Sequence, residues 1–147
     1  MAATHPSQAQ TRWISDPAAL RKALDRGEFR LVFQPRLSLL DGRITGVEAL
    51  LRWHSAEIGE VPPASFIPLA EETGLILPIG EWVLREACLT LRRWRHNGLN
   101  DISMAVNVSV LQLLRGNLPA VLGEVLAEAG IPAERLELEV TESMVMA

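Results

Sequence analysis

The sequence predicts an α/β protein built around a mostly parallel sheet. Three observations carry this. The later part of the chain alternates apolar strand patterns with helical ones, the order that builds parallel sheets. The earlier part holds two strand patterns joined by Asp41-Gly42, a strong hairpin turn signal. The composition, 48% apolar and 22% charged over 147 residues, is that of a globular chain with a core of its own.

The elements follow in order. Residues 1–15 are rich in Ala, Thr, Ser and Gln and read as a flexible lead-in. Asp16-Pro17 is a helix start, since Asp caps and Pro suits the first helical position. That helix ends near Gly27. Strands are predicted over residues 29–39 and 43–53, then a loop with Gly59, Pro62 and Pro63. A short helix begins at Ala64 or Ser65 and stops near Gly74. A longer one covers residues 79–96, with Leu84, Ala87, Cys88, Leu91 and Trp94 at helical spacing and Arg85, Arg92, Arg93 and Arg95 elsewhere on its surface. Residues 102–110 alternate as a strand, residues 118–129 form a helix ending at Gly130, and residues 136–141 form a strand. Gly123 in that helix costs about 1 kcal/mol relative to Ala and suggests a close approach of helix to sheet.

Charge and cysteine usage narrow the function classes. The net charge of −4 argues against a dedicated partner of nucleic-acid polymers. Cys88 is the single cysteine, so no internal disulfide forms and a reducing compartment is compatible. The first ten residues are polar and lack an apolar stretch, so they are not expected to be a secretory signal, and no apolar run approaches the ~20 residues that span a bilayer. The expected location is cytoplasmic.

Polar residues recur near the carboxyl ends of the predicted strands, where α/β folds bind ligands. Glu48 lies in Val47-Glu48-Ala49, Asn107 in Val106-Asn107-Val108, and Glu139 in Leu138-Glu139-Val140. Strands covered on both faces bury such groups, which is costly unless they are paired or liganded. Two carboxylates and an amide oxygen form an all-oxygen cluster of the kind that suits Mg²⁺ or Mn²⁺. Arg52 shares a face with Glu48 by period two, and Arg52 and Gln34 are suited to a phosphate and a base edge. A lone strand Glu is more often a salt-bridged or edge residue. The histidines His5, His54 and His96 show no ligand spacing. Cys88, Trp82 and Trp94 read as packing, and Arg92, Arg93 and Arg95 as a solvated face.

These residues sit in a longer pattern. Phe33-Gln34-Pro35, the run EALLRW from Glu48 to Trp53, FIPLAEETGLI from Phe66 to Ile76, Ile79-Gly80-Glu81-Trp82-Val83-Leu84, Val106-Asn107-Val108-Ser109, and Leu136 through Ser143 together resemble the EAL domain, the cyclic-di-GMP phosphodiesterase family of bacterial second-messenger signalling. The resemblance covers residues 20–143 and implies a modified (β/α)₈ barrel of TIM type with its first strand antiparallel. It implies hydrolysis of cyclic-di-GMP to the linear dinucleotide pGpG with two divalent cations, Mg²⁺ or Mn²⁺. Glu48, Asn107 and Glu139 then resemble metal ligands, Glu48 with a catalytic part. Gln34 and Arg52 resemble substrate contacts, and Glu142 the glutamate that positions a mobile loop beside the metals.

The chain also departs from that pattern. A complete barrel takes about 250 residues, so residues 16–147 are expected to be the N-terminal part of an EAL domain, with later strands missing. The family's Asp-Asp segment, a lysine and a further glutamate have no counterpart: no Asp follows Asp101, and Lys22 is the single lysine. The expectation is a truncated domain with little or no hydrolysis of its own. The alternatives are a module that binds cyclic-di-GMP or a protein without turnover, and a fragment with no separate role. The exposed sheet edge is expected to favour homo-oligomers; a GGDEF (diguanylate cyclase) or sensory domain is a possible neighbour in a longer parent. Two smaller departures are Phe33 in place of a tyrosine and Ala56 in place of a proline, the latter expected to loosen its loop.

Overall fold

The computed structural model describes residues 16–140, which form two compact units. The first is discontinuous in sequence: it takes the chain up to Arg30 and then Leu51–Ile76. The second takes Leu31–Leu50 and the chain from Leu77 onward.

In the first unit, helix α1 (Pro17–Asp25) starts as predicted, with Asp16 Oδ1 accepting from the Ala18 amide at 2.9 Å. Ala19, Leu20 and Ala23 are its buried face. Gly27, at φ 65°, turns the chain into β1 (Phe29–Leu37). The far end of β2 (Ile44–Ser55) folds back antiparallel onto β3 (Gly59–Val61), pairing Trp53 with Val61. The expected loop there therefore contains a short strand. Gly59 at φ 77° permits the tight reversal that brings it back. Helix α2 (Pro63–Thr73) follows and stops at Gly74, whose φ of 78° supplies the left-handed cap.

The core of this unit is a triad of rings. Phe29, Trp53 and Phe66 have centroids 5.5 to 6.0 Å apart, and Trp53 meets Phe66 edge-on at 89°. Glu28 anchors the triad. Its Oε1 accepts from the Trp53 indole at 3.1 Å, its Oε2 from the Ala56 amide at 3.1 Å, and its backbone oxygen from the His54 amide at 3.0 Å. At Ala56, where a loosened loop was expected, the backbone uses an N–H that proline lacks, donating to Glu28.

In the second unit, β1 and β2 run antiparallel through the Asp41-Gly42 turn, closed by Ser38 N–H to Arg43 O at 2.8 Å and Gly42 N–H to Ser38 O at 2.9 Å. The sheet order is β1-β2-β4-β5, with β4 (Ser103–Val108) parallel to β2 and β5 (Leu136–Val140) parallel to β4. Helix α3 (Ile76–His96) starts three residues before the predicted position and buries Ile79, Leu84, Ala87, Cys88 and Leu91. Trp94 packs edge-on against Phe33 with centroids 5.0 Å apart. A short helix α4 (Val110–Arg115), absent from the prediction, precedes α5 (Leu118–Ala129), and a 3₁₀ turn (Ala133–Arg135) leads into β5. At Gly123 the expectation fails: a Cβ there would meet nothing within 4 Å, so no close approach to the sheet requires glycine.

Candidate functional site

Three parallel strands of the second unit bring the predicted oxygen ligands onto one face. Glu48 on β2 is in register with Ala105 on β4, which is in register with Glu137 on β5; Asn107 is in register with Glu139. By the two-residue period of a strand these side chains share a face. Asn107 sits one strand over and two residues along from Glu48, and its Nδ2 donates to Glu48 Oε1 at 3.2 Å. The parallel register is what converts three distant sequence positions into neighbours.

A fourth member comes from β1. The Arg36 guanidinium donates to a Glu139 carboxylate oxygen and, at 3.3 Å, to Glu137 Oε2. Its hydrogen bond holds the Glu139 carboxyl below the usual carboxylate range, although partial burial opposes this; the adjoining Glu48 carboxyl lowers it further. Reciprocally, Glu139 raises Arg36, with Glu48 and Glu137 adding to the effect. Three carboxylates lie around one guanidinium, an acidic cluster under partial neutralisation.

Arg36 was missed in the sequence. The available signal was period two: it lies two residues after Gln34 on the same strand and shares its face. The predicted burial of the oxygen ligands is not observed. Asn107 is exposed and Glu48 and Glu139 are only half-buried, so these residues are not polar groups forced into a sealed core.

The remaining candidates are distributed otherwise. Gln34 is exposed on β1, and its side chain makes no hydrogen bond among the described residues. Arg52 belongs to the first unit, half-buried, and donates to the neighbouring Leu51 carbonyl at 3.0 Å. Glu142 lies outside the described residues. His54 is exposed and meets Glu60 Oε1 at 3.2 Å across the β2–β3 hairpin. Cys88 is buried core, its thiol pushed up to about 11 by burial.

The donor chemistry fits a hard divalent cation. Glu48 and Glu139 supply carboxylate oxygens and Asn107 an amide oxygen, the ligand types that Mg²⁺ and Mn²⁺ prefer. The set is short, however. No group of three or more His, Cys, Asp or Glu placed to hold a metal occurs among the described residues. A six-coordinate ion here would need ligands from water, a phosphate or further protein groups.

Comparison with known proteins agrees with this architecture. The chain matches the family described as "EAL domain" over residues 18–147. It is 42% identical over 129 residues to the oxygen sensor protein DosP of Escherichia coli K12, covering 88% of this chain and 16% of that protein. It is 43% identical over 140 residues to the bifunctional diguanylate cyclase/cyclic di-GMP phosphodiesterase MucR of Pseudomonas aeruginosa, covering 95% of this chain and 20% of that one. Among solved structures, the MucR phosphodiesterase in complex with c-di-GMP superposes with a TM-score of 0.83 at 44% identity, over 88% of this chain and 52% of its own. The Pseudomonas aeruginosa FimX EAL domain bound to c-di-GMP gives 0.75 at 33% identity, over 88% and 51%. The chain therefore spans about a fifth or less of these curated relatives and about half of the solved domains. The partial sheet with its antiparallel first strands corresponds to a fragment of that barrel fold.

Proposed function

We propose, for a chain that belongs to the EAL domain family, that residues 16–147 are the N-terminal part of a cyclic-di-GMP phosphodiesterase domain and contribute one side of its metal and ligand site. The observation that carries this reading is the juxtaposition of Glu48, Asn107 and Glu139 on one sheet face, joined by the Asn107–Glu48 hydrogen bond.

Glu48, Asn107 and Glu139 would hold a divalent cation, Mg²⁺ or Mn²⁺. When bound, such ions supply an activated water and neutralise charge developing on the phosphoryl group. The chain's own residues perform the rest. Asn107 orients Glu48 through its amide. Arg36 offsets the mutual repulsion of Glu137, Glu139 and Glu48, keeping Glu139 ionised and available. Arg52 is suited to a phosphate oxygen and the unpartnered Gln34 amide to a base edge. Glu142 is assigned the positioning of a loop beside the cations. No described helix is long and apolar enough to cross a membrane, and a cytoplasmic setting accords with a second-messenger ligand.

These 147 residues by themselves are proposed to turn over little or no substrate. Three oxygen donors bind a hard cation weakly, and no Asp follows Asp101 to supply more. The second reading, ligand binding without turnover, is favoured by the same incomplete donor set. The β5 edge, paired only with β4 among the described residues, is where a second copy or further strands of a longer parent would complete the sheet; a GGDEF or sensory domain would be part of such a parent.

The test is incubation of the purified chain with cyclic-di-GMP and Mg²⁺ or Mn²⁺, with chromatography for pGpG and calorimetry for binding. Absence of product with retained binding that is weakened by Arg52→Ala is the expected result. Product that disappears in Glu48→Ala would refute inactivity and point to a site completed by oligomerisation. Neither binding nor product would leave the isolated chain without the proposed ligand.

A further inference from the structure

The strand that carries Asn107 runs into a capping box. Ser109 caps α4, its Oγ accepting from the Leu111 amide at 3.2 Å, while Gln112 reaches back so that its Oε1 accepts from the Ser109 amide at 2.9 Å. Both residues are buried, Ser109 at 1% and Gln112 at 5% exposure. The Gln112 side chain lies directly on Gly80 of α3: a Cβ at Gly80 would meet Gln112 Nε2 at 2.0 Å and Cδ at 2.5 Å. No side chain larger than hydrogen leaves room for Gln112 in this pose. Ser109 is two residues beyond Asn107, with Val108 between them buried and in register with Val140. The backbone that aims Asn107 is therefore fixed from its C-terminal side by Gln112, and Gln112 by the notch at Gly80.

We propose that Gln112, seated on Gly80, is a positioning residue for Asn107. It holds the exit of β4 so that the Asn107 amide reaches Glu48, and through Asn107 it sets the affinity of the oxygen cluster for a divalent cation. The cation part rests on the reading under Proposed function; the positioning part does not. Elsewhere a capping box only stabilises a helix terminus. Here the capped residue is next but one to a site residue, so a change in the cap is transmitted to the site over two peptide units.

The experiment uses the 147-residue chain and four variants: Gln112→Ala, Gln112→Glu, Gly80→Ala, and the double Gly80→Ala/Gln112→Ala. Readout one is the pair of Asn107 side-chain amide resonances in a ¹⁵N spectrum without metal, identified by their loss in Asn107→Ser. Gln112→Ala and Gly80→Ala are expected to move them away from their wild-type positions. Gln112→Glu, which keeps an oxygen for the Ser109 amide, restores them. Readout two is the affinity for Mn²⁺ alone, from proton relaxation, expected to fall about tenfold in both disruptive variants, as for other groups that orient a metal ligand. Gly80→Ala is expected to have no added effect in the Gln112→Ala background, where nothing remains to collide with the new methyl. If Gly80→Ala fails to fold, a folded double variant supports the seat and an unfolded one overturns it. Unmoved Asn107 resonances in Gln112→Ala, failure of Gln112→Glu to restore them, or equal Gly80→Ala effects in both backgrounds would each overturn the proposal. If the wild-type chain ignores Mn²⁺, the cation reading falls while the amide resonances still judge the positioning.

Discussion

Removing the Glu28 carboxylate tests the core of the first unit most directly. Trp53 is 1% exposed, and its indole N–H has Glu28 Oε1 as acceptor at 3.1 Å. In Glu28→Ala that donor stays buried without a partner, which costs about 1–3 kcal/mol. The Ala56 amide loses Oε2 as well, but it is exposed, water replaces the oxygen, and the added loss is a few tenths of a kcal/mol. The ring contacts of Trp53 with Phe29 and Phe66 are left in place, so no cavity contribution enters. The expected total is about 2 kcal/mol. With a urea slope of about 1.5 kcal/mol per molar, the midpoint falls by about 1.3 M. Glu28→Gln keeps one acceptor oxygen and is expected to lose about half as much. Urea unfolding followed by circular dichroism measures this, and exchange of the Trp53 indole proton provides a local readout. A Glu28→Ala midpoint within about 0.3 M of wild type, with indole exchange unchanged, would refute the argument that Glu28 anchors the ring triad.

Other perturbations separate further parts of the structure. Gly123→Ala fills open space on α5 and is expected to stabilise the chain by about 0.5–1 kcal/mol, visible as a raised Tm. Arg36→Met is expected to return the Glu139 carboxyl toward the ordinary range of about 4.3, read by NMR titration. Glu139 is lowered in the folded chain, so its contribution to stability is present above the unfolded value and is lost as pH falls through the lower folded one. Arg36→Met therefore flattens the acid-side fall of Tm in that window, by only about 0.5 kcal/mol because the pair is partly exposed. Cys88, with its thiol pushed up to about 11, has about one molecule in a thousand ionised at pH 8. It is expected to resist a thiol reagent in the native chain and react fully in urea.

Much of this was legible because the signals were local or periodic. The Asp16-Pro17 start, the Asp41-Gly42 turn and the buried stripe of Leu84, Ala87, Cys88 and Leu91 each rest on the chemistry of a few neighbouring residues. β3 escaped notice because three residues are too few to display alternation, and α4 because six residues make fewer than two turns. Glu48, Asn107 and Glu139 could be read as candidates, but their juxtaposition depends on strand register, which no single strand encodes. The roles of Arg36 and Gln112 were hidden for a related reason, although period two already placed Arg36 on the face of Gln34. Each matters through a residue on another element, Glu139 on β5 and Gly80 on α3. The expectation at Gly123 failed because residue identity alone does not reveal whether the space around a position is open.

The discontinuity of the first unit bears on the order in which the protein can be made. During synthesis Glu28 emerges 25 residues ahead of Trp53, and α1 waits for α2 until still later. Between them lies the whole Asp41-Gly42 hairpin. Once its two arms pair, the loop that must close to bring Glu28 to Trp53 is spanned by ordered strands rather than by free chain, and the entropy of closing it is largely spent in advance. A nascent chain arrested before residue 53 thus exposes Phe29 with neither ring partner available, a state suited to chaperone capture. A substitution that disrupts the Asp41-Gly42 turn would lengthen that interval even though the turn touches none of the three rings.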